Sequence, residues 1–205
     1  MAQLASALLA VTAIVGGLLV SPAFVGTVAG YLVLNLAYSI RLKRIPYLDV
    51  LCIALGFELR VLAGAFAADV PASAYLIVVT FLLALFLGFG KRMHELSHSD
   101  NASSQRSVLR GYGKRTLRIL LFATGACTLG TYVVYTLDPN TAHAFGTSHL
   151  VVTAPFTLFG VLRFLHIVSH RRRAESPTEE MLRDWAFLGN LILWAITVVL
   201  VIYLS

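Results

Sequence analysis

Long apolar runs of about 20 residues, separated by short polar connections, dominate this chain, and that is the length a helix needs to cross the hydrocarbon core of a bilayer. The runs predict seven membrane-spanning helices near 4–20, 22–40, 46–68, 72–90, 116–137, 148–169 and 185–204. Together they fill most of the 205 residues, which predicts a single all-α polytopic transmembrane domain over 1–205 with no soluble partner domain. Function then has to sit between helices or at their ends. The first run has no positively charged stretch before it and exceeds a usual signal-peptide core, so it reads as a span, although Ser21 and Ala23 resemble a small-residue cleavage site.

Composition agrees with the pattern. Charged residues make up 13% and hydrophobic residues 58% of the chain, against roughly 25% and 45–50% in soluble domains, and the mean hydropathy is +0.81. Cys52 and Cys127 fall inside predicted spans without a Cys-x-x-Cys spacing, so they read as small packed residues, not as a disulfide or a zinc knuckle.

The basic residues are confined to alternate connections. Arg41, Lys43 and Arg44 follow the second span, seven lie between Lys91 and Arg118, and Arg171, Arg172, Arg173 and Arg183 follow the sixth, which accounts for 14 of the 16. The other two, Arg60 and Arg163, lie within spans. The positive-inside rule then places those three connections in the cytoplasm, the amino terminus inside and Ser205 outside, in a cell (inner) membrane. The net charge of +6 is explained by orientation and by attraction to anionic headgroups, without a nucleic-acid partner. The polar material gathers on the face where a phosphate-bearing substrate would be met.

Charges inside spans are costly and mark either a functional site or a pair that satisfies itself. The third span holds Asp49, Glu58 and Arg60. At 100° per residue Asp49 and Arg60 return to one stripe, with Gly56 beside them, and Glu58 points nearly the opposite way, which disfavours a simple Glu58 to Arg60 pair. Lys91, Arg92 and Glu95 cluster where the fourth span ends, and Arg41, Lys43 and Arg44 follow Tyr38 at the end of the second. Each cluster reads either as snorkelling anchors or as part of a shared anion site with Arg60.

A competing chemistry is spelled by His94, Glu95, Leu96, Ser97 and His98, a His-Glu-x-x-His pattern that on a helix offers two zinc ligands and a general base. His166 and His170 repeat the i, i+4 spacing at the end of the sixth span. An intramembrane zinc protease is therefore a second reading. It is weakened by the ease with which five residues match by chance and by the polar segment from Ser99 to Arg106.

Four segments carry a wider resemblance: Tyr38-Ser-Ile-Arg-Leu-Lys-Arg, Leu48-Asp-Val-Leu-Cys-Ile-Ala-Leu-Gly-Phe-Glu-Leu-Arg-Val-Leu-Ala-Gly-Ala, Leu87-Gly-Phe-Gly-Lys-Arg-Met-His-Glu-Leu, and Ser176-Pro-Thr-Glu-Glu-Met-Leu-Arg-Asp before an apolar helix with Trp194. In order and spacing, over residues 30 to 205, they resemble the UbiA prenyltransferase superfamily in its decaprenyl-phosphate phosphoribosyltransferase branch. The resemblance implies a nine-helix membrane fold of which these seven spans are the last seven. It also implies transfer of phosphoribose from phosphoribosyl pyrophosphate to a polyprenyl phosphate on the cytoplasmic side, in the synthesis of cell-wall lipid precursors.

Mg²⁺ is the implied cofactor. The family holds it with an Asn-Asp-x-x-Asp motif between its second and third helices, and this sequence does not contain that motif, so its metal ligands are unknown. That points to an amino-terminal partner chain or a segment outside this sequence. Other prenyltransferases of the superfamily carry a second Asp-rich motif near the position of Lys91 to Glu95, whereas the phosphoribosyl branch is basic there, as here. Glu58 replaces the apolar residue the resemblance leads one to expect. The implied roles are phosphate binding by Tyr38, Lys43, Arg60, Lys91 and Arg92, with Asp49 and Glu95 as catalytic carboxylates that orient cations or ribose hydroxyls. A prenyltransferase with another acceptor, and an inactive remnant or scaffold of the family, remain as alternatives.

Overall fold

The computed structural model describes residues 17, 21–98, 107–170 and 177–204. Among the described residues the regular structure is entirely helical: α1 Pro22–Ile40, α2 Leu48–Ala68, α3 Ala74–His98, α4 Lys114–Leu137, α5 Pro139–Phe145, α6 Ala154–His170, α7 Pro177–Arg183 and α8 Trp185–Leu204. Short 3₁₀ turns lie at Leu42–Arg44, Ser107–Gly111 and His149–Thr153. Six stretches are long and apolar enough to cross a membrane: α1, α2, α3, α4, the turn and helix from His149 to His170, and α8. They coincide with six of the predicted spans, and the remaining one, 4–20, lies outside the described residues apart from Gly17. The protein is an all-α, multi-pass membrane protein.

Local chemistry sets the helix ends. The Ser21 hydroxyl accepts a hydrogen bond from the Phe24 N–H at 3.1 Å and Pro22 opens α1, so one orphan amide is capped and the first residue has none to satisfy. The third predicted span starts at Leu48 and not at residue 46 because Pro46 and Tyr47 form the connection, with Tyr47 at φ 66° and ψ −39° before α2 begins. Helix α3 continues past the expected end at residue 90 as far as His98. Its backbone ladder has no reason to stop where the apolar run stops, and Lys91 to Ser97 are good enough helix residues to carry it on. The span expected from residue 148 opens as a 3₁₀ turn and becomes α-helical at Ala154, with Pro155 in the first turn where its missing N–H is harmless.

The chain divides into two compact units, Met1–Ala84 and Leu85–Ser205. In the first, α1 and α2 pack as an antiparallel hairpin. A Cβ at Gly30 would touch Leu59, one at Gly56 would lie 3.8 Å from the Tyr31 ring, and the Arg60 guanidinium stands over that same ring. These contacts put Gly56, Leu59 and Arg60 on the side of α2 that faces α1. Val50, Ala54 and Glu58 are buried on the other side, as the 100° periodicity requires. Glu58 is 7% exposed and neither of its carboxylate oxygens has a hydrogen-bond partner among the described residues.

The second unit is organised by aromatic packing and by polar links between helices. Phe86 on α3 and Phe164 on α6 meet at 4.9 Å between ring centres, tilted by 59°. Gly90 is what lets Phe164 lie against α3, and a Cβ at Gly125 would come within 2.8 Å of the Phe86 ring. Trp194 Nε1 on α8 donates to the Tyr132 hydroxyl on α4 at 3.0 Å, Tyr132 meets Thr153 Oγ1 at 2.8 Å, and Thr153 donates to the Leu150 carbonyl at 2.5 Å. With Trp194 fixed as a donor and Thr153 committed to Leu150, the Tyr132 proton must point at Thr153, so the three links run in one direction. Asn190 adds a bond to the Phe156 carbonyl at 3.0 Å. Thr124, Thr128 and Thr136 return their hydroxyls to carbonyls of their own helix, the usual way to carry such groups where water is absent.

At the junction of α6, α7 and α8, Arg163 grips Asp184 through both prongs, Nε to Oδ1 at 3.0 Å and Nη2 to Oδ2 at 2.7 Å. Asp184 Oδ1 also accepts the Phe187 N–H at 3.0 Å, so one carboxylate neutralises an in-span arginine and caps α8.

Two stability changes follow. Asp184→Ala lowers the unfolding free energy by about 3 kcal/mol, because it strands a partly buried guanidinium and removes a cap, whereas Asp184→Asn keeps the cap and costs less. Glu58→Leu raises stability by about 1–3 kcal/mol by removing a buried carboxylate that has no hydrogen-bond partner among the described residues. Thermal and denaturant unfolding in detergent measures both.

Candidate functional site

At one end of the α1–α2 hairpin the chain turns within a few residues, from Ile40 through the 3₁₀ turn Leu42–Arg44 to Leu48. That tight return gathers Tyr38, Arg41, Lys43, Arg44 and Asp49 at the same end of the pair. Arg41, Lys43 and Arg44 are exposed and Tyr38 is half-buried. Asp49 is wholly buried in the first turn of α2, where the amino-terminal end of the helix dipole favours a carboxylate. Tyr47 has a positive φ that a non-glycine residue adopts at a cost of about 1–3 kcal/mol. That cost is borne immediately before α2 begins, two residues ahead of Asp49.

Arg60 follows Asp49 by 11 residues, about 16 Å further along the axis. The structure therefore keeps the two on one side of α2, as the periodicity predicts, but at different depths and in different surroundings: Asp49 is buried and Arg60 is exposed. The Arg60 Nη2 donates to the Tyr31 hydroxyl. Its guanidinium carbon stands 4.8 Å from the centre of the Tyr31 ring and 5.5 Å from that of Phe57. The aromatic cradle leaves most of its five N–H donors without an acceptor among the described residues. A guanidinium inside a span with no anionic partner among the described residues marks a candidate anion site.

In the second unit, Lys91, Arg92 and Glu95 occupy the polar end of α3. Arg92 is only 4% exposed and is ion-paired through Nη1 to Glu95 Oε2 at 2.6 Å. Half-buried Lys91 has no ion-pair or hydrogen-bond partner among the described residues. Of the two cations expected to hold phosphate, Lys91 is available, and Arg92 is already committed to the carboxylate expected to orient it. In the His-Glu-x-x-His segment His94 is buried, Glu95 faces Arg92, and the His98 side chain lies outside the described residues. Among the described residues no group of three or more His, Cys, Asp or Glu side chains could hold a metal ion. The described part thus offers no fit for the Mg²⁺ that the resemblance implies.

Tyr31, Phe57 and the Arg163 to Asp184 pair escape a reading of single helices. A signal for each is nevertheless present. In a hairpin turning near residue 45, Tyr31 and Arg60 lie at mirrored positions. An Asp directly before an apolar run that follows an in-span Arg is both a cap and a counter-ion.

The UbiA prenyltransferase family profile matches residues 1–191. The chain is 28% identical over 185 residues to the decaprenyl-phosphate phosphoribosyltransferase of Mycolicibacterium smegmatis, covering 86% of this chain and 58% of that protein. It is 27% identical over 177 residues to the enzyme of the same name from Corynebacterium glutamicum, covering 85% and 52%. Against the Mycobacterium tuberculosis protein of that name it is 24% identical over 199 residues, covering 97% and 65%. The chain thus spans between half and two-thirds of the length of these curated relatives.

The hairpin geometry carries its own prediction. In a double-mutant cycle of Tyr31→Phe and Arg60→Gln, the two changes couple by about 1 kcal/mol, since the phenylalanine keeps the ring and loses only the hydroxyl. Additive unfolding free energies in detergent would show that the contact carries no energy.

Proposed function

Because the chain belongs to the UbiA prenyltransferase family, we propose that it is a membrane transferase, or the carboxy-terminal part of one, that moves phosphoribose from phosphoribosyl pyrophosphate to a polyprenyl phosphate. The observation that carries this reading is the chemistry at the polar end of α3. Where aromatic prenyltransferases of the family carry a second Asp-rich motif, this chain presents Lys91, without a partner among the described residues, beside a buried Arg92–Glu95 pair. A cation there suits the phosphate groups of a sugar donor better than it suits a second metal. The names of the relatives point the same way.

The reaction is a displacement at the anomeric carbon. A lipid phosphate oxygen forms the new bond to C1 of the ribose as the bond from C1 to pyrophosphate breaks, through a transition state with oxocarbenium character. Negative charge moves onto the departing pyrophosphate, so cations near it lower the barrier more than they stabilise the bound substrate. In the second unit Lys91 serves this role, and Glu95 holds Arg92 in one orientation. In the first unit Lys43 and Tyr38 receive a phosphate at the mouth of the hairpin, Asp49 acts as an orienting carboxylate, and Arg60 engages an anion deeper in the span. The positive-inside rule, applied to the loop charges, supports the cytoplasmic side of a cell membrane for this chemistry.

The test is transfer of labelled phosphoribose from phosphoribosyl pyrophosphate to polyprenyl phosphate in membranes that contain this chain, with and without Mg²⁺. Activity with the chain alone assigns it the whole reaction. Activity only on co-expression with the amino-terminal helices of a relative assigns it a share. In whichever preparation is competent, Lys91→Ala and Arg60→Ala each lower transfer by about tenfold or more. Full activity in both would remove them from the site, and silence in every preparation would overturn the reading.

A further inference from the structure

Two histidines at the carboxy-terminal end of α6 belong to none of the chemistry above. His166 and His170 are one turn apart, both exposed, with rings 4.5 Å between centres and only 18° from parallel. The His170 Nδ1 lies 3.2 Å from the His166 carbonyl oxygen. A carbonyl only accepts, so Nδ1 carries the proton and the lone pair of His170 sits on Nε2, on the outer edge of the ring. An imidazole held this way, its distal nitrogen free and its other N–H tied to a backbone carbonyl, is the form in which histidine binds metals.

We propose that His166 and His170 form a two-imidazole chelating site for a divalent transition ion of the Cu²⁺, Ni²⁺ and Zn²⁺ class. Two histidine nitrogens at about 2.0–2.1 Å from a tetrahedral ion are about 3.4 Å apart. Stacked 18° from parallel, the rings point their lone pairs side by side, so binding swings both about χ2, a broad torsion in histidine, until two nitrogens converge on the ion. Local charge sharpens the selectivity. Arg163, two turns back on the same helix, is neutralised by Asp184, whereas Arg171, Arg172 and Arg173 follow His170 in the sequence. A hard cation held by charge alone is repelled there, so Mg²⁺ and Ca²⁺ are excluded. An ion whose affinity comes from nitrogen lone pairs is retained, in the order Cu²⁺ above Ni²⁺ and Zn²⁺. Water fills the other coordination positions. The ion bridges the last turn of α6 and stiffens the helix end that leads into the basic connection.

The experiment is Cu²⁺ titration of the full chain, purified without a polyhistidine tag, in nanodiscs, followed by calorimetry and electron paramagnetic resonance. One Cu²⁺ binds per chain with the hyperfine pattern of two imidazole nitrogens, Zn²⁺ competes and excess Mg²⁺ does not. His166→Asn and His170→Asn each weaken binding by about tenfold or more and leave one nitrogen in the spectrum. His94→Asn leaves both affinity and spectrum unchanged. Both helix-end variants melt as the parent does without metal, since the two rings are exposed. The proposal is overturned if the parent binds no Cu²⁺, if the two helix-end variants bind it as tightly as the parent, or if His94→Asn abolishes binding.

Discussion

Hydrocarbon offers no water to a polar group that lacks a partner, and that single constraint sorts the charged residues of this protein into two kinds. The Arg163 to Asp184 pair is the first kind. Its two hydrogen bonds and the added bond to the Phe187 amide close the accounts of an in-span guanidinium, a buried carboxylate and a helix end at one junction. The directed links from Trp194 through Tyr132 and Thr153 to Leu150 do the same for neutral groups. Such satisfied networks fix which helix faces meet, because any other arrangement of α4, α6 and α8 would leave them open in lipid.

The first unit holds the other kind. Among the described residues Arg60 is braced by Tyr31 and Phe57 but lacks a counter-ion, and the buried Glu58 carboxylate lacks a hydrogen bond. The two lie close together in sequence yet cannot neutralise each other, because two residues on a helix are separated by 200°. Moving either by one or two positions would have made a pair. The sequence thus keeps opposite charges at a cost in stability, which is how sites of ligand binding differ from sites of packing.

Hydropathy made the spans legible, and α1 and α8 begin and end where their apolar runs do. It could not place the end of α3, because the apolar run measures the thickness of the lipid, whereas the helix ends where its hydrogen-bond ladder is broken. Nor could it show the Tyr47 conformation or the 3₁₀ entry to α6, which depend on Pro46 and Pro155 and on how the chain is tied down around them. The stripe shared by Asp49 and Arg60 was readable from periodicity alone, and so was the opposite heading of Glu58. The difference in burial between Asp49 and Arg60 was not, since it is set by neighbouring helices. Tyr31 was missed for the same reason: its importance lies in a contact across the hairpin.

The polar end of α3 shows how position along a helix and pairing together select chemistry. Lys91 and Arg92 stand at i, i+4 and i, i+3 to Glu95, so a helix lets either reach it, and it is Arg92 that pairs with the carboxylate here. Pairing holds Arg92 inside as a fixed, compensated charge and leaves Lys91 as the flexible one. An ammonium on a four-carbon stem is a mobile point charge that can follow a phosphate through a reaction, whereas a guanidinium locked to a carboxylate cannot. If the two residues were exchanged, the lysine could still pair with Glu95, but the free cation would be a planar fork with a preference for one bidentate geometry. The order Lys-Arg at this place therefore suits an anion that changes its charge and position as a bond breaks.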